Sequence, residues 1–183
     1  IFTTFYSING AFELSLNIMK FLFIILFTLS TFLSKSMNPP IHPKDSIQID
    51  SLLTFCKKHL GTNYEYASCT PNSGFDCSGF VYYVFNHFKI NVPRSSSDFI
   101  TTGKTIPPDS CIAGDVIVFT GTNAKNRNAG HVGIVISNFG EELQFIHSSS
   151  NKKHSGVKIS SYKESPYYEK RFLKIVRVTK IYK

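Results

Sequence analysis

The chain has 183 residues, with 20 Lys or Arg against 12 Asp or Glu and a formal net charge of +8. That length suits one ordinary domain able to bury a core of its own and argues against a multidomain assembly. Four cysteines, Cys56, Cys69, Cys77 and Cys111, are few for a disulfide-built scaffold and follow no CxxC spacing, so neither a structural metal nor any other cofactor is expected.

Residues 1–18 precede Met19 and read as translated upstream sequence rather than protein. In residues 19–36, Lys20 leads into an apolar run from Phe21 to Leu33 that closes on Ser34-Lys35-Ser36. A charged start, a short apolar core and a small-x-small ending are the three parts of a secretory signal peptide. The run falls short of the roughly 20 residues a membrane-spanning helix needs. Cleavage and export to a periplasmic or extracellular site are therefore expected, with no transmembrane span in the mature protein. Pro39, Pro40 and Pro43 make residues 37–47 an extended linker, and residues 48–183 form the single folded domain.

Within that domain Ile49, Leu52, Leu53, Cys56 and Leu60 recur at helical spacing and stop at Gly61, a C-cap residue. Phe80, Val81, Val84, Phe85 and Phe88 mark one face of a second helix, with Asp76 placed to cap it. A short helix is expected in residues 95–102. The texture then changes to strands over 116–120, 131–136, 143–147, 157–160 and 172–179, rich in β-branched and aromatic residues with Gly, Asn or Ser between them. Helices first and strands afterwards give an α+β class, with the helices packed on a mainly antiparallel five-stranded sheet. A monomer is expected.

The charge is uneven, with ten Lys or Arg from Lys152 to Lys183 against Glu164 and Glu169. Outside a cell such a face attracts anionic wall polymers or lipid headgroups, and no nucleic-acid partner is expected. Strand edges kept soluble by lysine explain the same pattern without a partner.

Cys77 stands at the start of the second helix, where unpaired backbone N–H groups and the helix dipole favour a negative charge. With a histidine nearby, a cysteine so placed is lowered toward the thiolate, and the same N–H groups can hold an oxyanion. Gly79 allows a substrate or another element to approach the thiol closely. His131 opens one apolar strand and His147 closes another, so both can meet at one rim of a sheet. His42, His59, His87 and His154 have no such setting. With one thiol catalytic, at most one disulfide can join two of Cys56, Cys69 and Cys111, and the pairing stays open.

Six segments occur in a telling order: Gly61-Thr62-Asn63-Tyr64, Phe75-Asp76-Cys77-Ser78-Gly79-Phe80, Val92-Pro93-Arg94-Ser95-Ser96, Gly114-Asp115-Val116-Ile117-Val118-Phe119, Gly130-His131-Val132-Gly133-Ile134 and Phe145-Ile146-His147-Ser148. Together they resemble the successive motifs of the NlpC family of papain-like cell-wall cysteine peptidases, over about residues 48–178. The resemblance implies Cys77 as nucleophile, His131 as base and later acid, and His147 as the residue orienting the His131 ring. Tyr64 would add a hydroxyl near the oxyanion, and Asp76, Ser78 and Arg94 would shape the substrate pocket. The sequence departs from the family pattern at Ala67-Ser68 and at Phe99, both near that pocket. The implied reaction is hydrolysis of a peptidoglycan stem peptide, between D-glutamate, through its γ-carboxyl, and the diamino acid. An N-acetylmuramoyl-L-alanine amidase using the same three residues and a non-catalytic wall-binding module are the alternatives.

Overall fold

The structure, a computed structural model, describes residues 43–163 and 166–178. The expected upstream segment, the leader and the first part of the 37–47 linker lie outside the described residues. These described residues belong to one compact unit. Helix α1 (Pro43–Lys58) begins inside the stretch expected to be extended. Proline's fixed φ and missing N–H suit a first helical turn, where that N–H has no partner in any case. Leu52 and Cys56 lie buried on the face the spacing predicted.

A two-stranded hairpin, β1 (Cys69–Thr70) and β2 (Gly74–Phe75), leads into helix α2 (Cys77–His87). Asp76 caps the helix from an extended conformation, its carboxylate accepting the Gly79 N–H at 2.6 Å. Phe80, Val81, Val84 and Phe85 are fully buried, each such side chain contributing about 1.5–3 kcal/mol of transfer free energy. The short helix expected in residues 95–102 is a single 3-10 segment, Ser96–Ile100, capped by Ser95.

One antiparallel sheet holds β3 (Lys104–Ile106), β4 (Val116–Thr120), β5 (Ala129–Val135), β6 (Gln144–Ser149), β7 (Gly156–Ser161) and β8 (Phe172–Arg177) in the order β3-β8-β4-β5-β6-β7. The strand beyond the expected five is β3, whose three residues are too few to show alternation. A short helix, α3 (Pro166–Arg171), lies between β7 and β8 and was not expected either. β8, last of the described strands, sits inside the sheet between β3 and β4.

Both faces of the sheet are covered, which is why β4 reads as an unbroken apolar run and is buried at every position. Val116, Val118, Val132, Ile134, Ile146 and Val176 pack with α1 and α2 in the larger core. Ile117, Phe119, Val135, Phe145 and Ile175 form a second core with Tyr168 of α3 against it. By the twofold alternation of a strand, His131 and His147 share the side of Val135 and Phe145, the side on which Tyr168 of α3 packs. Asp115, fully buried before β4, accepts the Ile112 N–H at 3.0 Å and is held by the Arg177 fork at 2.8 and 2.9 Å.

Candidate active site

Cys77 is the first residue of α2, and its side chain lies against the start of β5. Its Sγ is 4.0 Å from the Gly130 carbonyl oxygen, and the Val132 backbone N–H points to it as well. The thiol therefore rests against the backbone on both sides of His131. Burial pushes the Cys77 thiol above its ordinary value; the Val132 N–H opposes this, Asp76 adds to it, and the N–H groups of Ser78 and Cys77 oppose it in turn. The sequence position alone suggested a thiolate. Here desolvation of Cys77, only 9% exposed, opposes the helix-start N–H groups and favours the protonated sulfur.

His131 and His147 are in direct contact. Nε2 of His131 lies 2.9 Å from Nδ1 of His147, with the rings edge to face at 4.9 Å. Gly133 makes that approach possible: a Cβ there would stand 3.1 Å from His147 Cβ, 2.9 Å from Phe145 Cδ2 and 3.0 Å from the Ile146 oxygen. Burial pushes the His131 imidazole down to about 3, helped by the Arg171 charge. Burial also holds His147 well below its ordinary value, with His131, Lys158 and Arg171 pushing the same way. Both rings are neutral at neutral pH, and the nitrogen of His131 not engaged by His147 is Nδ1.

Asp76, Ser78 and Arg94 form one cluster beneath the helix start. The Arg94 fork meets the Asp76 carboxylate at 3.0 and 2.7 Å and the Ser78 hydroxyl at 3.1 Å. Much of the guanidinium thus serves to hold the capping carboxylate, while the Arg94 side chain remains 37% exposed. Tyr64 forms a backbone bridge with Phe75, and its phenol is raised by burial first and then by its neighbours Cys77 and Asp76. Ser148, just past His147, donates to the Phe75 carbonyl at 2.6 Å and so ties the histidine strand to the segment preceding Cys77. The close approach that Gly79 permits is made by another element: a Cβ there would meet the Ser68 oxygen at 2.0 Å.

Three side chains that the sequence did not single out join this region. Ser160 Oγ is 3.1 Å and Tyr168 Oη 3.4 Å from Nε2 of His147. Arg171, only 5% exposed, donates to the Thr120 and Gly121 carbonyls at 2.7 and 2.8 Å. Pro166, a favoured first residue of a helix, was the signal that could have placed Tyr168 and Arg171 on an element. Arg171 and the Asp115-bound Arg177 thereby leave the expected basic face. Lys152, Lys153, Lys163 and Lys170 are exposed, while Lys180 and Lys183 lie outside the described residues. Cys56, Cys69, Cys77 and Cys111 are all free thiols. His59 and His87 pack on Phe55, away from the histidine pair. Among the described residues no group of His, Cys, Asp and Glu is arranged to hold a metal ion, and no helix is long and apolar enough to cross a membrane.

A family model described as NlpC/P60 matches residues 61–177. The gamma-DL-glutamyl hydrolase of Bacillus subtilis is 31% identical over 127 residues, 69% of this chain and 29% of that protein. The murein DD-endopeptidase MepS/murein LD-carboxypeptidase of Escherichia coli is 36% identical over 119 residues, 64% of this chain and 56% of that protein. The chain thus spans between 29% and 56% of the length of these two relatives. Among solved structures, an NlpC/P60 family protein from Bacillus cereus superposes with a TM-score of 0.61 at 28% identity, covering 71% of this chain and 40% of that one. NlpC2 of Trichomonas vaginalis gives a TM-score of 0.61 at 27% identity, covering 72% and 47%.

Proposed function

Because the chain belongs to the NlpC/P60 family, we propose that it is an exported cysteine endopeptidase that hydrolyses peptidoglycan stem peptides. The observation that carries the reading is the contact of His131 Nε2 with His147 Nδ1 at 2.9 Å, beside the strand backbone on which the Cys77 thiol rests. Export rests on the leader-like run between Met19 and Ser36.

In this reading Nδ1 of His131 takes the thiol proton as the sulfur attacks the peptide carbonyl, because Nε2 is already held by His147. A neutral imidazole beside a neutral thiol suits a general base that acts during attack. The oxyanion meets the backbone N–H groups at the start of α2, with the Tyr64 hydroxyl alongside. His131 then returns its proton to the leaving amine, and water hydrolyses the acyl-enzyme by the reverse use of the same pair. The bond proposed is that between γ-D-glutamate and the diamino acid. The names of the relatives from Bacillus subtilis and Escherichia coli support a glutamyl or murein peptide substrate. The free α-carboxylate of D-glutamate calls for a cation or backbone donors, and the exposed part of Arg94 and the α2 N-terminus supply them.

The test is digestion of purified peptidoglycan and of soluble stem fragments, read by mass spectrometry. L-alanyl-γ-D-glutamate ends with a newly freed diamino-acid amine are expected, abolished in Cys77→Ala and nearly so in His131→Ala. Release of whole stem peptides beginning with L-alanine would establish an amidase instead, and full activity in Cys77→Ala would remove the nucleophile.

A further inference from the structure

Beyond the histidine pair, the second nitrogen of His147 is handled by two hydroxyls. His147 is 1% exposed and Ser160 3% exposed. Nε2 of His147 faces Ser160 Oγ at 3.1 Å and Tyr168 Oη at 3.4 Å, and these two oxygens lie 3.2 Å from each other. Three polar atoms thus form a closed triangle in a nearly dry site. A neutral imidazole carries one N–H, and whichever nitrogen bears it must find an acceptor or cost about 1–3 kcal/mol.

We propose that Ser160 and Tyr168 are positioning residues that fix His147 with its proton on Nε2. The assignment rests on the catalytic reading above. If Nδ1 of His131 is to take the thiol proton, Nε2 of His131 must carry a hydrogen and donate it. Nδ1 of His147 must then be bare and accept it, and the His147 proton is forced onto Nε2. There it meets a pair of hydroxyl oxygens. One hydroxyl can donate to the other and still leave lone pairs for the imidazole N–H, so an acceptor is present whichever way the pair is oriented. With the His147 proton on Nδ1 instead, either two N–H hydrogens would face each other across the 2.9 Å contact, or His131 would carry its own hydrogen on Nδ1 and lose its base nitrogen.

The surroundings keep His147 in its one-proton form. The charged and titratable groups about it are His131 from β5, Lys158 from β7, and Tyr168 and Arg171 from α3. The cations among them disfavour a second proton on the ring. Tyr168 is delivered by α3, the short helix over the sheet face opposite α1 and α2, where its ring packs on Phe119 and Phe145. Its phenol is thereby anchored by apolar contacts and aimed by its hydroxyl.

The experiment is nitrogen-15 NMR of the histidine rings in the full chain, paired with kinetics on a soluble stem fragment. In the unmodified protein His147 is expected to show a protonated Nε2 and a bare Nδ1; a protonated Nδ1 would overturn the proposal without any variant. The double variant Ser160→Ala with Tyr168→Phe should mix or reverse that signature and lower kcat/KM by about tenfold to a hundredfold. Ser160→Thr, which keeps the hydroxyl, should retain both the signature and most of the activity. A double variant with an unchanged His147 signature would refute the positioning role. An unmodified protein with the expected signature that cleaves no stem peptide would instead refute the catalytic reading alone.

Discussion

Lowering the pH should unfold this protein through its own histidine pair. His131 has a folded pKa of about 3 against an ordinary value of 6.5, so between these values the unfolded chain holds a proton that the folded one refuses. A depressed folded pKa gives stability that is complete above the ordinary value and is lost as the pH falls toward the folded one, at about 1.4 kcal/mol per pH unit. From about pH 7.5 to about pH 4.5 a single such group would cost about 2.7 kcal/mol. His131 is partly open to solvent, so its share is nearer about 2 kcal/mol after screening. His147 is lowered as well and acts in the same direction. Urea unfolding across this range measures the total, and the double variant His131→Gln with His147→Gln removes the pair's contribution while leaving the other acids and histidines in place. The stability gap between the two proteins should therefore shrink by at least about 2 kcal/mol as the pH is lowered. Parallel curves for the two proteins would show that neither ring is held neutral by the fold, and the inference would fail.

Gly133→Ala would thrust a methyl to 2.9 Å from Phe145 Cδ2 and 3.1 Å from His147 Cβ; a loss of about 1–3 kcal/mol in thermal melts is expected, with a larger proportional loss of activity because His147 is displaced. Asp115→Ala leaves Arg177 without the carboxylate it grips at 2.8 Å and should cost about 3 kcal/mol by denaturant titration with little change in the chemistry of surviving folded enzyme. Among the thiols, Cys56 and Cys111, pushed by burial to about 12 and about 11, should resist iodoacetamide until the protein unfolds; early labelling of either would show that its core opens readily. Digestion of intact wall should fall with salt more than digestion of small fragments, since screening acts over about 10 Å at 0.1 M. Equal sensitivity would reduce the exposed lysines to a solvated surface.

The parts of the site readable in the sequence are those set by local rules. Asp76 capping a helix that opens at Cys77 depends on neighbours in the chain, and the apolar stripe of Phe80, Val81, Val84 and Phe85 follows from helical period. His131 and His147 were recognisable because each borders an apolar run, although both lie inside their strands, β5 and β6, and not at the ends the sequence suggested. What could not be read depends on contacts made only when the chain closes. Ser160 and Tyr168 meet His147 across 13 and 21 residues, and neither residue type marks such a role. Arg171 looked like one more surface cation because nothing local announces that its fork will end on the Thr120 and Gly121 carbonyls. The burial that opposes a thiolate at Cys77 is hidden for a related reason: the helix start is visible in sequence, but the packing against β5 is not. Pro43 is different, a local signal that stood in view and was read as a break instead of a beginning.

The latest of the described strands lies inside the sheet and not at its edge. β8 lies between β3 and β4, and α3 with Tyr168 and Arg171 immediately precedes it. A growing chain that has produced Cys77, His131 and His147 therefore still lacks the wall behind the histidines and the strand that joins the sheet's two parts. In the proposed reading, the centre would be complete only once α3 and β8 have taken their places beside it. For an enzyme proposed to cut cell wall, a chain ending before α3 would hold every proposed reacting group and still lack the side chains that back them.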